Sequence, residues 1–133
     1  MSRSGYSNDL DPRDLAMWRG QVTSAIGGKR GQAFLRELIE ALDGMPEKRL
    51  IANVLRAYGE VCAIGSVGAR RGIDLEALDP HDHEGLASVF GIAHQLVQEI
   101  EFMNDDECFG WGASPEDRWK RMRAWAVQNL KSK

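Results

Sequence analysis

The sequence predicts an all-α fold, a compact and irregular bundle of about six helices. Apolar residues recur at helical spacing along most of the chain, and several predicted helix starts carry a cap residue followed by proline. The 133 residues are 43% apolar and 28% charged, which is typical of a globular protein with one core. We expect a flexible N-terminal segment over residues 1–10 and a single helical domain over residues 11–133.

The first two helices have clear boundaries. Asp11 followed by Pro12 is a cap with proline at the first helical position, and it predicts a helix that continues to about Ile26. Two glycines then end it. A second helix fits residues 32–43, where apolar residues form a wide stripe, and Gly44 ends it.

The middle of the chain combines an ambiguous segment with an unusual one. Residues 47–58 fit either a helix or a strand, so a minor two-stranded β element near residues 49–62 stays open as an alternative. Residues 59–72 predict a helix rich in glycine and other small residues. Each glycine inside a helix costs about 0.5–1 kcal/mol, so we expect neighbouring backbones to approach this helix closely and offset that cost.

Three more helix segments follow. Asp79 and Pro80 predict a helix start, Gly91 interrupts the helix, and the apolar pattern resumes up to Asp105. Ser114 with proline after it predicts the start of the last helix. One apolar face of that helix is predicted to contain Trp119, Met122, Ala126 and Leu130. Trp125 lies off this face, and we expect it to be exposed.

Composition also excludes some classes of protein. No apolar run approaches the ~18–20 residues of a membrane-spanning helix, and residues 1–6 lack the apolar stretch of a signal peptide. The net charge of −3 gives no argument for binding nucleic acid or a membrane through bulk charge. Cys62 and Cys108 are the only two cysteines, which favours a reducing cytoplasm over a disulfide scaffold.

The charges are unevenly distributed. Residues 74–107 contain ten acidic residues and no lysine or arginine, whereas the flanking parts of the chain are both net basic. This block either pairs with basic elements inside the fold or forms an acidic face that meets a basic partner protein. The candidate partner-binding residues are Asp79, Asp82, Glu84, Glu99, Glu101, Asp105, Asp106 and Glu107.

Basic residues in two other places suggest nucleic-acid binding as an alternative. The first place is the loop over residues 27–31, and the second is the last helix, where arginines alternate with tryptophans. The candidate residues are Lys29, Arg30, Arg118, Lys120, Arg121 and Arg123. The loop is not a P-loop, because no predicted strand precedes it, and its cations also complement the end of the first helix.

A small metal-dependent enzyme is a further alternative. His81, His83 and His94 lie within the acidic block, and histidines with carboxylates can ligate a transition metal. The first two side chains, however, diverge by about 200° if they lie on one helix. Cys62 as a nucleophile would need an accessible, electropositive setting, and a small buried side chain is the simpler interpretation. We expect no metal, no cofactor and no catalytic residues.

The acidic residues that end the predicted helix near Asp105 raise a separate question. Negative charge at a helix C-terminus opposes the helix dipole, so a basic group should lie nearby. We expect arginine or lysine from the last helix to form structural ion pairs there. Magnesium binding or acid–base catalysis is the alternative.

Four phrases of the sequence resemble a group of small uncharacterised proteins that bacteriophages and prophages of proteobacteria encode. The phrases cover residues 18–52, 59–74, 90–105 and 114–130, for example GEVCAIGSVGARRGID and SPEDRWKRMRAWAVQNL. The resemblance implies a phage origin, a bacterial cytoplasm and an accessory role, such as blocking a basic host or defence protein. It carries no catalytic or binding residues over to this chain.

Overall fold

The computed structural model describes residues 3–6, 11–105 and 114–131. The α-helices of the described residues are α1 (Pro12–Gly27), α2 (Lys29–Asp43), α3 (Ala63–Arg71), α4 (His83–Phe90), α5 (His94–Asp105) and α6 (Pro115–Asn129). Two short strands, β1 (Arg56–Ala57) and β2 (Glu60–Val61), form an antiparallel pair. These elements confirm the all-α prediction and its minor two-stranded β element.

One hydrophobic core joins the helices. Helix α2 packs against α1, α3 and α6, and α5 packs against α1, α3, α4 and α6. The apolar face of α2 is fully buried at Leu35, Leu38 and Leu42, as the wide stripe predicts. Among the described residues, no helix combines the length and the apolar character that a membrane span requires.

Helix α3 is the buried scaffold that its small residues predict. Residues 63–68 are all buried. A Cβ atom on Gly65 would lie 2.2 Å from the carbonyl oxygen of Leu55, and one on Gly68 would lie 2.6 Å from a methyl carbon of Leu75. Close approach therefore requires glycine at both positions.

The strands form a tight hairpin before α3. Its two turn residues, Tyr58 and Gly59, both have positive φ, at 53° and 78°, as a two-residue hairpin turn requires. The Ile51 amide donates to the Val61 carbonyl (2.9 Å), which ties the segment before the hairpin to β2. Residues 47–55 are not helical, so the helical alternative for that segment is wrong.

Three local expectations are corrected. Helix α4 begins at His83 with Asp82 as its cap, because Asp79 instead accepts from the backbone amide of His81 in a turn. Trp125, expected to be exposed, is only 7% exposed. Leu15 has the spacing of a residue on the apolar face of the first helix, which predicts burial, but it is 46% exposed.

The structure also departs from the expectation of a loose N-terminus at residues 3–6, which we call the N-terminal strap. Arg3 and Ser4 are 3% and 1% exposed. Gly5 has a φ of 76°, and this left-handed conformation suits glycine. Tyr6 packs its ring against Phe102 of α5. Ion pairs and hydrogen bonds of its side chains and carbonyls hold the strap in place. A hydropathy pattern does not predict burial that depends on polar contacts of this kind.

Candidate functional site

A buried polar cluster lies beneath the N-terminal strap and is the strongest candidate for a functional site. It consists of Arg3 from the strap, Cys62 at the start of α3, His83 of α4, and Glu101 and Asp105 of α5. Buried titratable groups are concentrated at functional sites. Each of them must be paired to offset the cost of removing it from water.

The guanidinium group of Arg3 is the centre of the cluster. Its Nε and Nη2 atoms donate to the two carboxylate oxygens of Asp105, at 2.6 and 2.9 Å. This two-pronged arrangement is the strongest common geometry between arginine and a carboxylate. Burial alone would lower the pKa of Arg3, but the neighbouring Cys62, Asp105 and Glu101 raise it above its usual value. Arg3 is therefore a permanent cation here.

The rest of the fold holds Asp105 in place. Its Oδ1 atom also accepts from the backbone amide of Asn53 (3.0 Å) and from the side-chain amide of Asn104 (2.8 Å). Asn104 is itself fully buried and links three segments, because it also accepts from the Ala63 amide and donates to the Ile51 carbonyl. Asp105 is thus oriented by groups outside the strap.

Cys62 is fully buried and serves as the cap of α3. Its Sγ atom accepts from the backbone amide of Gly65 (3.3 Å) and from Nη1 of Arg3 (3.6 Å). The thiol therefore contacts both the N-terminus of a helix and the Arg3 cation. It is not open to solvent, so the interpretation of Cys62 as a small buried residue holds for the structure with the strap in place.

Glu101 is the least satisfied member of the cluster. Its side chain is fully buried. Nε2 of His83 lies 2.9 Å from Oε1 of Glu101, but it donates its hydrogen to the Arg3 carbonyl (2.5 Å). Neither Glu101 oxygen therefore accepts an aligned hydrogen bond from a described residue. Burial raises the pKa of Glu101 to about 8; Arg3 opposes this rise and Asp105 adds to it.

A second set of contacts fixes the other end of the strap. The hydroxyl group of Tyr6 donates to Oε1 of Glu99 (2.9 Å) and accepts from the indole nitrogen of Trp18 (2.9 Å). Arg19 pairs with both carboxylate oxygens of Glu99, at 2.8 and 3.0 Å. Burial raises the pKa of Tyr6, and the Glu99 carboxylate raises it further. Tyr6 is therefore a neutral donor.

The predicted acidic residues divide into an inner and an outer set. Asp79, Asp82 and Glu84 are exposed. Glu99 and Glu101, by contrast, are 4% and 0% exposed, so the expectation that they belong to a partner-facing surface is corrected: they pair inside the fold, where their helix faces α1 and the strap. Asp105 is half-buried against Arg3. Asp106 and Glu107 lie outside the described residues.

The predicted nucleic-acid residues do not form one surface. Lys29, Arg30 and Lys120 are exposed. Arg118 and Arg121 are buried and donate to main-chain carbonyls, among them that of Asn104, and Arg123 pairs with Asp43. The alternating arginines of α6 are therefore largely structural, which corrects the interpretation of Arg118 and Arg121 as contacts for nucleic acid.

The three histidines lie in different environments. His83 belongs to the buried polar cluster, His81 is exposed, and His94 lies with its ring centre 6.4 Å from that of Trp18. Across residues 3–6, 11–105 and 114–131, no group of three or more His, Cys, Asp or Glu side chains is placed to hold a metal ion. What the cluster does hold is a guanidinium cation.

Sequence reasoning missed the strap. A signal was present, because Glu101 and Asp105 lie one turn apart on a helix whose other face is core, and two such acids need a cation. The sequence predicts that this cation belongs to the last helix, but it is Arg3, which lies 102 residues before Asp105 in the chain.

Comparison with models of known families, with curated proteins and with solved structures gives no match for this chain.

Proposed function

We propose that this protein acts without catalysis, as a phage-type accessory protein that binds a partner protein with a basic surface in the bacterial cytoplasm. The contact would be an acidic segment that comprises Asp74, Glu76, Asp79, Asp82 and Glu84. The sequence resemblance to phage-encoded proteins supports the accessory role.

One observation carries the proposal: these five acidic residues are all exposed, and none forms an ion pair with another described residue. Residues 74–84 contain no lysine or arginine to neutralise them. An uncompensated patch of one sign speeds association with a partner of opposite charge and repels other partners.

The hydrogen bonds of the segment leave its charges available. Asp74, Asp79 and Asp82 each accept from a backbone amide two or three residues further on. These bonds order the carboxylates along the turn before α4. They leave the negative charge exposed, because a backbone amide does not neutralise it.

A pair of charge reversals with a matched control tests the proposal. The test variant is Glu76→Lys with Glu84→Lys, and the control is Glu47→Lys with Asp14→Lys. Both change the net charge equally at exposed positions, and Glu84 and Asp14 each lie in the first turn of a helix. Each full-length protein is used to capture proteins from a bacterial lysate at stepped salt concentrations.

We expect a protein that wild type and the control retain, that the test variant loses, and that salt releases. Equal retention by all three proteins would contradict the acidic segment as the contact. If wild type retains nothing above background at low salt, the partner-binding proposal itself fails.

A further inference from the structure

The contacts that hold the strap resemble those that hold a bound peptide. Side chains of the helices bind main-chain carbonyl groups of the strap: His83 of α4 donates to the Arg3 carbonyl (2.5 Å), and Gln98 of α5 donates to the Ser4 carbonyl (2.9 Å). Recognition of main-chain groups with pockets for selected side chains is the usual mode for extended peptides.

The first side-chain pocket accepts a guanidinium group. Asp105 supplies the two-pronged contact and Cys62 supplies a sulfur acceptor at 3.6 Å. Glu101 adds a buried carboxyl group, 3.9 Å from Nε of Arg3, whose two oxygens accept no aligned hydrogen bond from the described residues. Such a wall fits an arginine better than a lysine, because the planar guanidinium offers several donors at once.

The second pocket accepts an aromatic residue three positions later. The Tyr6 ring centre lies 4.8 Å from that of Phe102 and 5.8 Å, edge to face, from that of Trp18. The hydroxyl group reaches the Glu99 carboxylate at the back of the pocket. These contacts bury a ring and satisfy its polar end, as at many peptide interfaces.

The walls of both pockets are built by the rest of the fold. Asp105 is fixed by Asn53 and Asn104, and Cys62 by the amide of Gly65. Glu99 is held by Arg19 of α1. None of these bonds involves the strap, so removal of the strap breaks none of them.

We propose that the groove that the strap occupies, along α5 with α4 at one end and α1 at the other, is a peptide-binding site. It recognises an extended segment in which an arginine is followed three positions later by an aromatic residue. Residues 3–6 occupy the groove in cis, and a segment of the same chemistry from another molecule replaces them in trans. This site is distinct from the acidic segment and does not depend on it.

The strap competes with a free peptide for the groove. A tethered segment is present at an effective concentration in the millimolar range, so a free peptide binds wild type weakly. Arg3→Ala removes the anchor of the strap and leaves the pocket walls in place. The expected consequence is a groove open to a peptide in trans.

The experiment measures the fluorescence anisotropy of a labelled synthetic peptide with the sequence of residues 1–6, mixed with full-length protein. We expect Arg3→Ala to bind it at least about tenfold more tightly than wild type does. A peptide with neutral citrulline in place of arginine should lose that gain. Arg3→Ala with Asp105→Asn should lose it as well, because the pocket then lacks its carboxylate.

Tyr6→Ala is a second variant, for use if Arg3→Ala does not show the far-ultraviolet circular dichroism of a folded helical protein. It weakens the strap at its other end and leaves the guanidinium pocket unchanged. The proposal is overturned if the folded variant binds no peptide, or if it binds the arginine and citrulline peptides equally.

Sedimentation velocity distinguishes the two sources of such a segment. A concentration-dependent dimer of wild type that Arg3→Ala abolishes assigns the segment to a second copy of this chain. A monomer at all concentrations assigns it to a different protein. The variant with Glu76→Lys and Glu84→Lys keeps its peptide affinity if this site is independent, so failure of the proposed function does not imply failure here.

Discussion

Glu101 is a buried carboxyl group whose two oxygens accept no aligned hydrogen bond from a described residue. A carboxylate removed from water without aligned hydrogen bonds costs several kcal/mol if it stays charged, and it escapes that cost by binding a proton. The pKa of about 8 shows that burial outweighs the attraction of Arg3. The neutral form of Glu101 therefore predominates at neutral pH.

Stability should depend on pH through this residue. The pKa of Glu101 rises from 4.5 to about 8 on folding, so the stability that it contributes is complete below about pH 4.5 and is lost as pH rises through 8. A tenfold difference in proton affinity between the folded and unfolded states corresponds to about 1.4 kcal/mol of stability. Glu101→Gln cannot ionise, so we expect its free energy of unfolding in urea to fall less between pH 5 and pH 9 than that of wild type.

An exposed residue provides the control for Glu101. Glu47→Gln removes a charge from the surface and should leave the pH dependence of wild type unchanged, because this side chain is exposed to water in the folded as well as the unfolded state. Parallel pH curves for wild type and Glu101→Gln would show that Glu101 does not account for the effect.

A second prediction for a single residue concerns Gly65, at the close contact between α3 and the Leu55 backbone. Gly65→Ala would place a methyl group 2.2 Å from the Leu55 carbonyl oxygen, and we expect it to lower the free energy of unfolding in urea by about 3 kcal/mol. Gly20→Ala is the matched control, because it also lies within a helix but meets no atom within 4 Å. That change should stabilise the protein by about 0.5–1 kcal/mol. Equal effects would contradict the close approach.

At the scale of the elements, arginines of α6 donate hydrogen bonds to the last-turn carbonyls of α5. Arg118 and Arg121 donate to the carbonyl of Asn104, Arg121 also donates to that of Met103, and Arg118 reaches the carbonyl of Leu50. Last-turn carbonyls have no partner within their own helix, and a cation there complements the dipole. Arginine from the last helix was expected near this helix end, but it binds the main chain, and Asp105 pairs with Arg3 instead.

This capping predicts a clear difference between neighbours on α6. Arg121→Met keeps the length of the side chain but removes the bond to the Met103 carbonyl and one of the two bonds to the Asn104 carbonyl. We expect it to lower the free energy of unfolding by about 2–3 kcal/mol. Lys120→Met changes an exposed residue and should stay within about 0.5 kcal/mol. Urea denaturation of both variants measures this. Equal losses would mean that the Arg121 bonds contribute nothing specific.

At the scale of the whole molecule, the acidic block divides into a part that faces inward and a part that faces outward. Glu99, Glu101 and Asp105 turn inward, where arginines from the N-terminal part of the chain face them. The acidic segment over residues 74–84 turns outward and has no ion-pair partner among the described residues. The inner acids anchor the strap, and the outer ones carry the proposed contact with a basic partner.

The strap should control access to Cys62. In a Cys108→Ser background, so that Cys62 is the only thiol, native protein should react slowly with iodoacetamide because the thiol is fully buried. Arg3→Ala should increase the rate at least about tenfold, as measured by mass spectrometry. Arg13→Ala, at an exposed position, serves as the control and should react like wild type. Equal rates for all three would show that the strap does not cover the thiol.

Local sequence by itself determined most of the helices, the proline starts of α1 and α6, the glycine ends, and the buried glycine-rich helix. Capping, chain stiffness and apolar periodicity act over a few residues, so they can be read directly: Ser114 caps α6 as predicted, and Gly72 ends α3 in the left-handed conformation. Only the tertiary structure decided which charges face inward. Arg3 meets Asp105 across 102 residues, and no local pattern encodes a contact of that separation, because ion pairs depend on where the folded chain brings the two groups together.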